Sequence, residues 1–120
     1  MITNLINVLN DLLPLVIKEI SWDGDTFIIA GDEWSFSTTS AWRIIKESSI
    51  DFACWDNNID TRVDKLKGLS LVAVQPQGSS IHVDPAFQLS DGRRLEVFST
   101  ETVEPWAFTL PGGSIYVGAT

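Results

Sequence analysis

Residues 22–36, WDGDTFIIAGDEWSF, contain the pattern on which the prediction of the fold rests. Phe27 and Ile29 are apolar residues separated by a single position. After a glycine–aspartate turn, Trp34 and Phe36 repeat this spacing. Successive side chains of a β-strand point to opposite faces, so an apolar residue at every second position indicates a strand with one buried face. The segment therefore predicts two antiparallel strands joined by a short turn.

The same alternation runs through most of the remaining chain. It recurs at Trp42/Ile44, Ile50/Phe52/Cys54, Leu69/Leu71, Ile81/Val83, Phe87/Leu89, Leu95/Val97, Trp106/Phe108 and Ile115/Val117. Turn-forming residues separate these segments, and Asp91-Gly92 is the clearest tight hairpin. Many short strands with frequent turns predict a mainly β protein, an antiparallel β-sandwich or barrel. The side chains expected to face its core are Trp34, Phe36, Trp42, Phe87, Leu89 and Leu95.

The first residues of the chain have a different spacing. Apolar side chains recur there at intervals of three and four, as on one face of an amphipathic helix: Leu5, Ile6, Leu9, Leu12, Leu13 and Val16. Thr3 can cap such a helix, and Pro14 disfavours helical backbone at Leu13. We therefore expect an N-terminal helix that ends near Leu13 and packs on the β-strands.

The chain length of 120 residues fits one domain, and its two halves resemble each other. An offset of 54 residues aligns Leu12 with Leu66, and an offset of 53 aligns Trp34 with Phe87. Neither half could bury its apolar face alone, so the halves should pack together. We predict a single domain over 1–120, with the N-terminal helix at 1–14, a first β-meander at 15–58, a connecting turn at 59–68 and a second β-meander at 69–120.

Composition and charge narrow the class of protein. The net charge is −8, and residues 1–60 hold ten acids against three bases. Direct binding of nucleic acid needs clustered lysine and arginine, so we exclude it, whereas a basic protein partner fits the charge. No run of about 18 apolar residues predicts a membrane span. The N-terminus lacks the basic region of a signal peptide, so we expect a cytoplasmic protein.

Acidic side chains flank the first predicted strand on both sides. Asp23 and Asp25 precede residues 27–30, and Asp32 and Glu33 follow them. A strand of this length spans roughly 15–20 Å, so the two acidic turns should lie at its opposite ends. The turns that match them in the second half carry one acid between them, so the fold does not require this charge. The alternative is local turn chemistry, in which aspartate bonds its own backbone.

A second acidic segment begins at Trp55. Asp56, Asp60 and Asp64 follow it at four-residue spacing, with two asparagines among them. An acidic surface beside an aromatic residue is typical of a docking edge. The alternative is a solvated linker with the tryptophan in the core. We predict that the partner-binding residues are Asp23, Asp25, Asp32, Glu33, Trp55, Asp56, Asp60 and Asp64.

Catalytic and metal-binding patterns are sparse. His82 is the only histidine and Cys54 the only cysteine. His82 and Asp84 share one face of a predicted strand, but a metal site needs three or four such ligands. Cys54 lies in an apolar run and is interpreted as a buried, small hydrophobic residue. We predict no catalytic residue, no metal site and no cofactor, and an enzyme built on His82 is the remaining enzymatic alternative.

Two stretches carry a resemblance to a known class of proteins: the tryptophan-rich EWSFSTTSAWRII (residues 33–45) and the closing W-x-F-T-L-P-G-G-S-I-Y-V (residues 106–117). With its length and acidity, the chain resembles the immunity proteins of bacterial contact-dependent and other polymorphic toxin systems. The resemblance implies tight binding to a basic cognate toxin domain, such as a nuclease, and no enzymatic activity. The alternative from another class is a small β-barrel that binds an apolar ligand in a cavity lined by tryptophan and phenylalanine.

Overall fold

The computed structural model describes residues 2–76, 84–98 and 105–118 and consists of two antiparallel β-sheets packed as a sandwich. About half of the chain is in strands, which confirms the predicted mainly β fold with a helix at the N-terminus. The elements are α1 (Ile2–Leu9), β1 (Leu15–Val16), β2 (Glu19–Trp22), β3 (Phe27–Gly31), β4 (Trp34–Thr38), β5 (Ala41–Lys46), β6 (Ser49–Ala53), α2 (Asp60–Asp64), β7 (Ser70–Pro76), β8 (Pro85–Leu89), β9 (Arg94–Phe98), β10 (Trp106–Thr109) and β11 (Ile115–Val117).

The N-terminal helix is shorter than the sequence predicted. Residues 1–14 were expected to be helical, but α1 ends at Leu9 and residues 10–12 form turns. Asn10 and Asp11 have low helix propensity because their short polar side chains compete for backbone hydrogen bonds. Leu5 and Leu9 are fully buried, so the shortened helix still covers part of the core.

The two sheets are built in the same way. Sheet A has the strand order β1-β7-β8-β9-β5-β6, and sheet B has the order β11-β10-β4-β3-β2. In sheet B the first half of the chain forms the meander β2-β3-β4, and in sheet A the second half forms the meander β7-β8-β9. Each half then sends a hairpin, β5-β6 or β10-β11, to the opposite sheet. Each sheet therefore combines a meander from one half with a hairpin from the other.

The equivalence between strands differs from the one predicted from the sequence offset. The offset of 53 residues equated β4 with β8 and β5 with β9, but by position in the sheets β4 is equivalent to β9 and β5 to β10. Trp42 of β5 lies opposite Val97 of β9, and Trp106 of β10 lies opposite Thr38 of β4. The offset was wrong because connections differ in length: two residues separate β4 from β5, and seven separate β9 from β10. Insertions between strands cost little free energy, so they accumulate in loops.

The offset of 54 residues does hold where each half begins. Leu5 and Leu9 of the first half match Ile59 and Val63 of the second, and all four side chains are buried. Ile59 and Val63 belong to the segment that forms α2, which lies within the predicted connecting turn at 59–68. The repeat therefore begins with a short helix in both halves, and its regular spacing ends once the strands begin.

The strands that open the two halves meet in sheet A. Val16 of β1 lies opposite Ser70 of β7. Two residues later the Lys18 N–H donates a hydrogen bond to the Ala30 carbonyl of β3, at 2.8 Å. Residues 15–22 therefore start in sheet A and finish in sheet B. This crossing connects the two sheets through continuous backbone hydrogen bonding.

The two helices close the open sides of the sandwich. α2 packs against the edge strand β2, and its Arg62 guanidinium donates a 2.9 Å hydrogen bond to the Asp51 carbonyl of the edge strand β6. α1 packs against β7, and Val8 lines a cleft together with Tyr116 of the edge strand β11. Covered sheet edges resist pairing with other chains, so the helices protect the fold as well as completing its core.

Aromatic side chains fill the space between the sheets. The predicted core positions are confirmed, since Trp34, Phe36, Trp42, Phe87, Leu89 and Leu95 are all buried. The Phe36 ring centroid of sheet B lies 5.0 Å from that of Phe87 in sheet A. It also lies 6.2 Å from Trp106 and 5.9 Å from Phe108. Phe36 is therefore a central contact between the two sheets.

One predicted inward position is wrong. Ile50 was placed on the same face as Phe52, but its side chain is 48% exposed. The pairing of β5 with β6 shifts register between Ile44 and Ile45. A shift of one residue turns the following side chains to the other face of a strand. The predicted strand around Ile81 and Val83 lies outside the described residues.

We expect Phe36→Ala to lower the free energy of unfolding by about 3–5 kcal/mol, because it leaves a cavity between rings of both sheets. Urea unfolding followed by tryptophan fluorescence measures the change. The control is Ser37→Ala on the outer side of the same strand, which should change stability by less than about 0.5 kcal/mol. Similar losses in both variants would contradict the central position of Phe36.

We expect Gly31→Ala to cost about 1–3 kcal/mol, because β1 passes too close to β3 for a side chain. A Cβ atom at Gly31 would lie 2.2 Å from the Val16 carbonyl oxygen and 2.2 Å from Trp34 Nε1. The backbone must therefore shift where the chain crosses from sheet A to sheet B. An unchanged urea midpoint in this variant would show that the crossing has room to spare.

Candidate functional site

The predicted acidic residues divide between two ends of strand β3. The turn with Asp23 and Asp25 precedes β3, and the turn with Asp32 and Glu33 follows it. The five residues of β3 separate these turns by about 15 Å. The two turns therefore cannot form one compact cluster, as the sequence predicted.

Asp23 organises the turn between β2 and β3. Its carboxylate Oδ1 accepts hydrogen bonds from the Asp25 N–H at 2.8 Å and from the Thr26 N–H at 2.7 Å. The bond from Thr26, followed by that from Asp25, lowers the pKa of Asp23 below its usual 3.8 because both stabilise the charged form. Asp23 thus has the local turn role that the sequence left open, and Asp25 stands exposed beside it.

Trp55 projects from a loop that is held by short-range hydrogen bonds. The Asp56 carboxylate accepts the Ala53 N–H at 2.9 Å, and the Asp56 N–H donates to the Ala53 carbonyl at 3.0 Å. The Cys54 N–H donates to the Trp42 carbonyl at 3.1 Å, which ties the loop to the core strand β5. Trp55 itself is 59% exposed, so the alternative that placed it in the core is wrong. A fixed loop presents this indole to solvent.

Asp60 and Asp64 lie on α2 beside the end of β2. They line a cleft of about 250 Å³ with Trp22, next to the turn that holds Asp23. Both carboxylates are exposed, whereas Val63 on the same helix is buried against the core. The burial of one face of α2 therefore directs its two acids outward.

Contacts within the core bring these segments to the same end of the sandwich. Trp22, which precedes the Asp23 turn, packs edge to face on Trp42 with ring centroids 5.2 Å apart. Trp42 in turn bonds the backbone of Cys54, which precedes Trp55. The resulting surface, which we call the acidic end, consists of Asp23, Asp25, Trp55, Asp56, Asp60 and Asp64.

The other two predicted residues belong elsewhere. Asp32 forms a 2.7 Å ion pair with Lys18 at the opposite end of β3, and both side chains are largely exposed. Glu33 has a positive φ of 63°, as the tight turn between β3 and β4 requires. The structure therefore brings six of the eight predicted residues together and separates Asp32 and Glu33 from them.

Sequence reasoning did not find the ion-pair clusters along sheet A. The partners in these clusters are up to 53 residues apart in the chain, so no local pattern could indicate them. Glu96 is almost fully buried, which is favourable only because its charge is paired. Arginines bracket an acid in each cluster: Arg43 and Arg94 contact Glu96, and Arg62 and Arg93 contact Asp51. Most arginine charge is thus neutralised away from the acidic end.

The described residues offer little to catalysis or metal binding. No group of three or more histidine, cysteine or acidic side chains within them is arranged to hold a metal ion. Cys54 is partly buried, and its Sγ accepts the Trp42 N–H at 3.4 Å. His82, on which an enzymatic alternative was based, lies outside the described residues. A polar cleft of about 570 Å³ near Lys46 contains side chains of both charges, two of which already pair with each other.

Within the described ranges, none of the helices has the length and apolar character needed to cross a membrane.

Comparison with known proteins found no match to a family model, to a curated protein or to a solved structure.

We expect Asp23→Ala to destabilise the protein in a pH-dependent way. The folded-state pKa of Asp23 lies below its unfolded value near 3.8, so its hydrogen bonds stabilise the fold above that pH. This contribution is lost as the pH falls through the lower folded-state pKa. The gap in unfolding free energy between wild type and variant should therefore be full near neutral pH and close in strong acid.

Urea unfolding at a series of pH values measures this gap. Asp25→Ala is the matched control, because it removes a charge from the same turn and leaves both hydrogen bonds to Asp23 intact. A constant gap between wild type and Asp23→Ala across the acid range would contradict the role of the Asp23 carboxylate.

Proposed function

We propose that the protein is an inhibitor of the immunity-protein type, which binds a basic toxin domain through the acidic end and acts in the cytoplasm. The observation that carries this proposal is the exposed Trp55 on a hydrogen-bonded loop among acids. The tryptophan would enter an apolar pocket of the partner, and the surrounding carboxylates would face its lysine and arginine side chains.

A rigid tryptophan is a strong anchor for a protein partner. Aromatic residues dominate binding energy where they enter a desolvated pocket, and little entropy is lost when they are fixed beforehand. The loop around Trp55 is attached to β5 by the Cys54 backbone and to β6 by the Asp56 carboxylate. Its conformation therefore does not have to be ordered on binding.

The acids around Trp55 favour a basic partner. Asp25, Asp60 and Asp64 are exposed and have no role in a turn comparable with that of Asp23. Exposed charges of one sign add little to stability and can repel each other. Aimed at a basic surface, they speed association over a range set by the Debye length, about 10 Å at 0.1 M salt.

A toxin that acts on nucleic acid is the partner class that best matches this charge. Such a toxin must bind phosphate groups with clustered basic side chains. Carboxylates at the acidic end would occupy the positions of phosphates and block the basic surface. The net charge of −8 supports the same direction of attraction.

The first experiment is to co-express the protein with the product of the neighbouring gene in bacteria. Under the proposal, the neighbouring product inhibits growth when it is expressed alone, and co-expression restores growth. The two proteins should then co-purify as a complex. Normal growth with the neighbouring product alone, together with no complex, would remove the proposal.

The second experiment locates the binding surface. We expect Asp25→Lys combined with Asp60→Lys to slow association with the purified partner at least about tenfold at low salt, because it reverses two charges at the acidic end. Stopped-flow fluorescence at several salt concentrations measures the rate, which should also depend less on salt. Asp32→Lys combined with Glu33→Lys is the matched control at the opposite end and should have a smaller effect. A larger effect in the control pair would transfer the binding surface to that end.

Trp55→Ala tests the anchor separately from the charges. We expect it to raise the dissociation constant about 30-fold, or about 2 kcal/mol, mainly through faster dissociation. Its melting temperature should stay near that of wild type, since the side chain is largely exposed. Unchanged affinity would show that Trp55 lies outside the interface.

A further inference from the structure

The outer face of sheet B is almost free of charge. Its outward positions form two rows across all five strands. Among these ten residues only Glu19, on the edge strand β2, is charged. The first row is Ser21, Ile28, Ser37, Ala107 and Val117, and the second is Glu19, Ala30, Ser35, Thr109 and Ile115. We call these ten residues the neutral face.

The neutral face differs from the corresponding face of sheet A. That face carries Arg43, Arg94 and Glu96 on its central strands. An antiparallel sheet with one solvated face usually presents polar and charged side chains to water. The neutral face instead exposes Ile28 by 36% and Ile115 by 63%. Neither side chain points to the core, so folding does not account for them.

We infer that the neutral face is where a second copy of this chain packs. Two molecules of charge −8 repel each other, and contact is most favourable where neither presents acids. The acidic end and the pair Lys18–Asp32 lie beyond the ends of the strands, outside this face. Serine, alanine and threonine side chains are short, so two such sheets can approach closely. One surface facing itself gives a two-fold symmetric dimer.

The size of the face sets the strength of this association. Five strands about 4.8 Å apart and about 15 Å long cover about 360 Å². A stable interface of standard size needs about 800 Å² from each partner. The dimer is therefore weak and reversible, and it forms at high protein concentration.

Sedimentation velocity from about 10 µM to about 1 mM protein, at low and high salt, tests the inference. The mean mass should rise with concentration. High salt should strengthen the dimer because it screens the repulsion between two acidic molecules. Binding of a basic partner at the acidic end should weaken with salt, so the two associations can fail independently. A monomeric mass at every concentration and salt would overturn the inference.

Variants identify the face. Ser37→Arg and Ile28→Lys each place a charge within the neutral face and should raise the dimer dissociation constant at least about tenfold. Ala73→Arg, at an exposed position on β7 of sheet A, is the control and should leave dimerisation unchanged. Thermal melts show whether each variant is folded. A dimer that survives both face variants, or that Ala73→Arg disrupts equally, would contradict the assignment.

Discussion

The pairing of each hairpin with the meander of the other half is the constraint on which the rest of the structure depends. β4 pairs with β10, and β9 pairs with β5. Without these pairings two central strands would expose a row of backbone groups, which must be hydrogen-bonded when buried. Neither half can therefore complete a sheet alone. Trp42 and Trp106 occupy equivalent places in these two pairings, so the exchange of hairpins also builds the aromatic core.

The same exchange creates the candidate functional site. The loop with Trp55 follows a strand of sheet A, and the turn with Asp23 follows a strand of sheet B. They meet because Trp22 and Trp42 pack across the space between the sheets. The helix α2 then bridges the edges of both sheets. A surface built on two sheets and one helix is held more rigidly than one built on a single loop, which favours binding without reorganisation.

The acidic residues of the chain do not have one common role. Asp23 and Asp56 accept backbone hydrogen bonds and shape their loops. Asp51 binds two arginines, so its charge is neutralised within the protein. The exposed carboxylates of Asp25 and Asp60 remain available for a partner. The charge of the acidic end is thus left over after the requirements of the fold are met, and a separate function is the simplest reason for it.

The sequence by itself determined the strand positions, the inward residues such as Phe36 and Phe87, and the turn around Asp23. Strand periodicity and turn chemistry depend on residues a few positions apart, so they can be read locally. It also placed a helix at the N-terminus, but not its end at Leu9. Only the tertiary structure decided which strands are equivalent, that Trp55 is exposed, and that Asp60 lies near Asp23 while Asp32 does not. These features depend on contacts between residues far apart in the chain, such as Trp22 with Trp42, and no local pattern specifies such contacts.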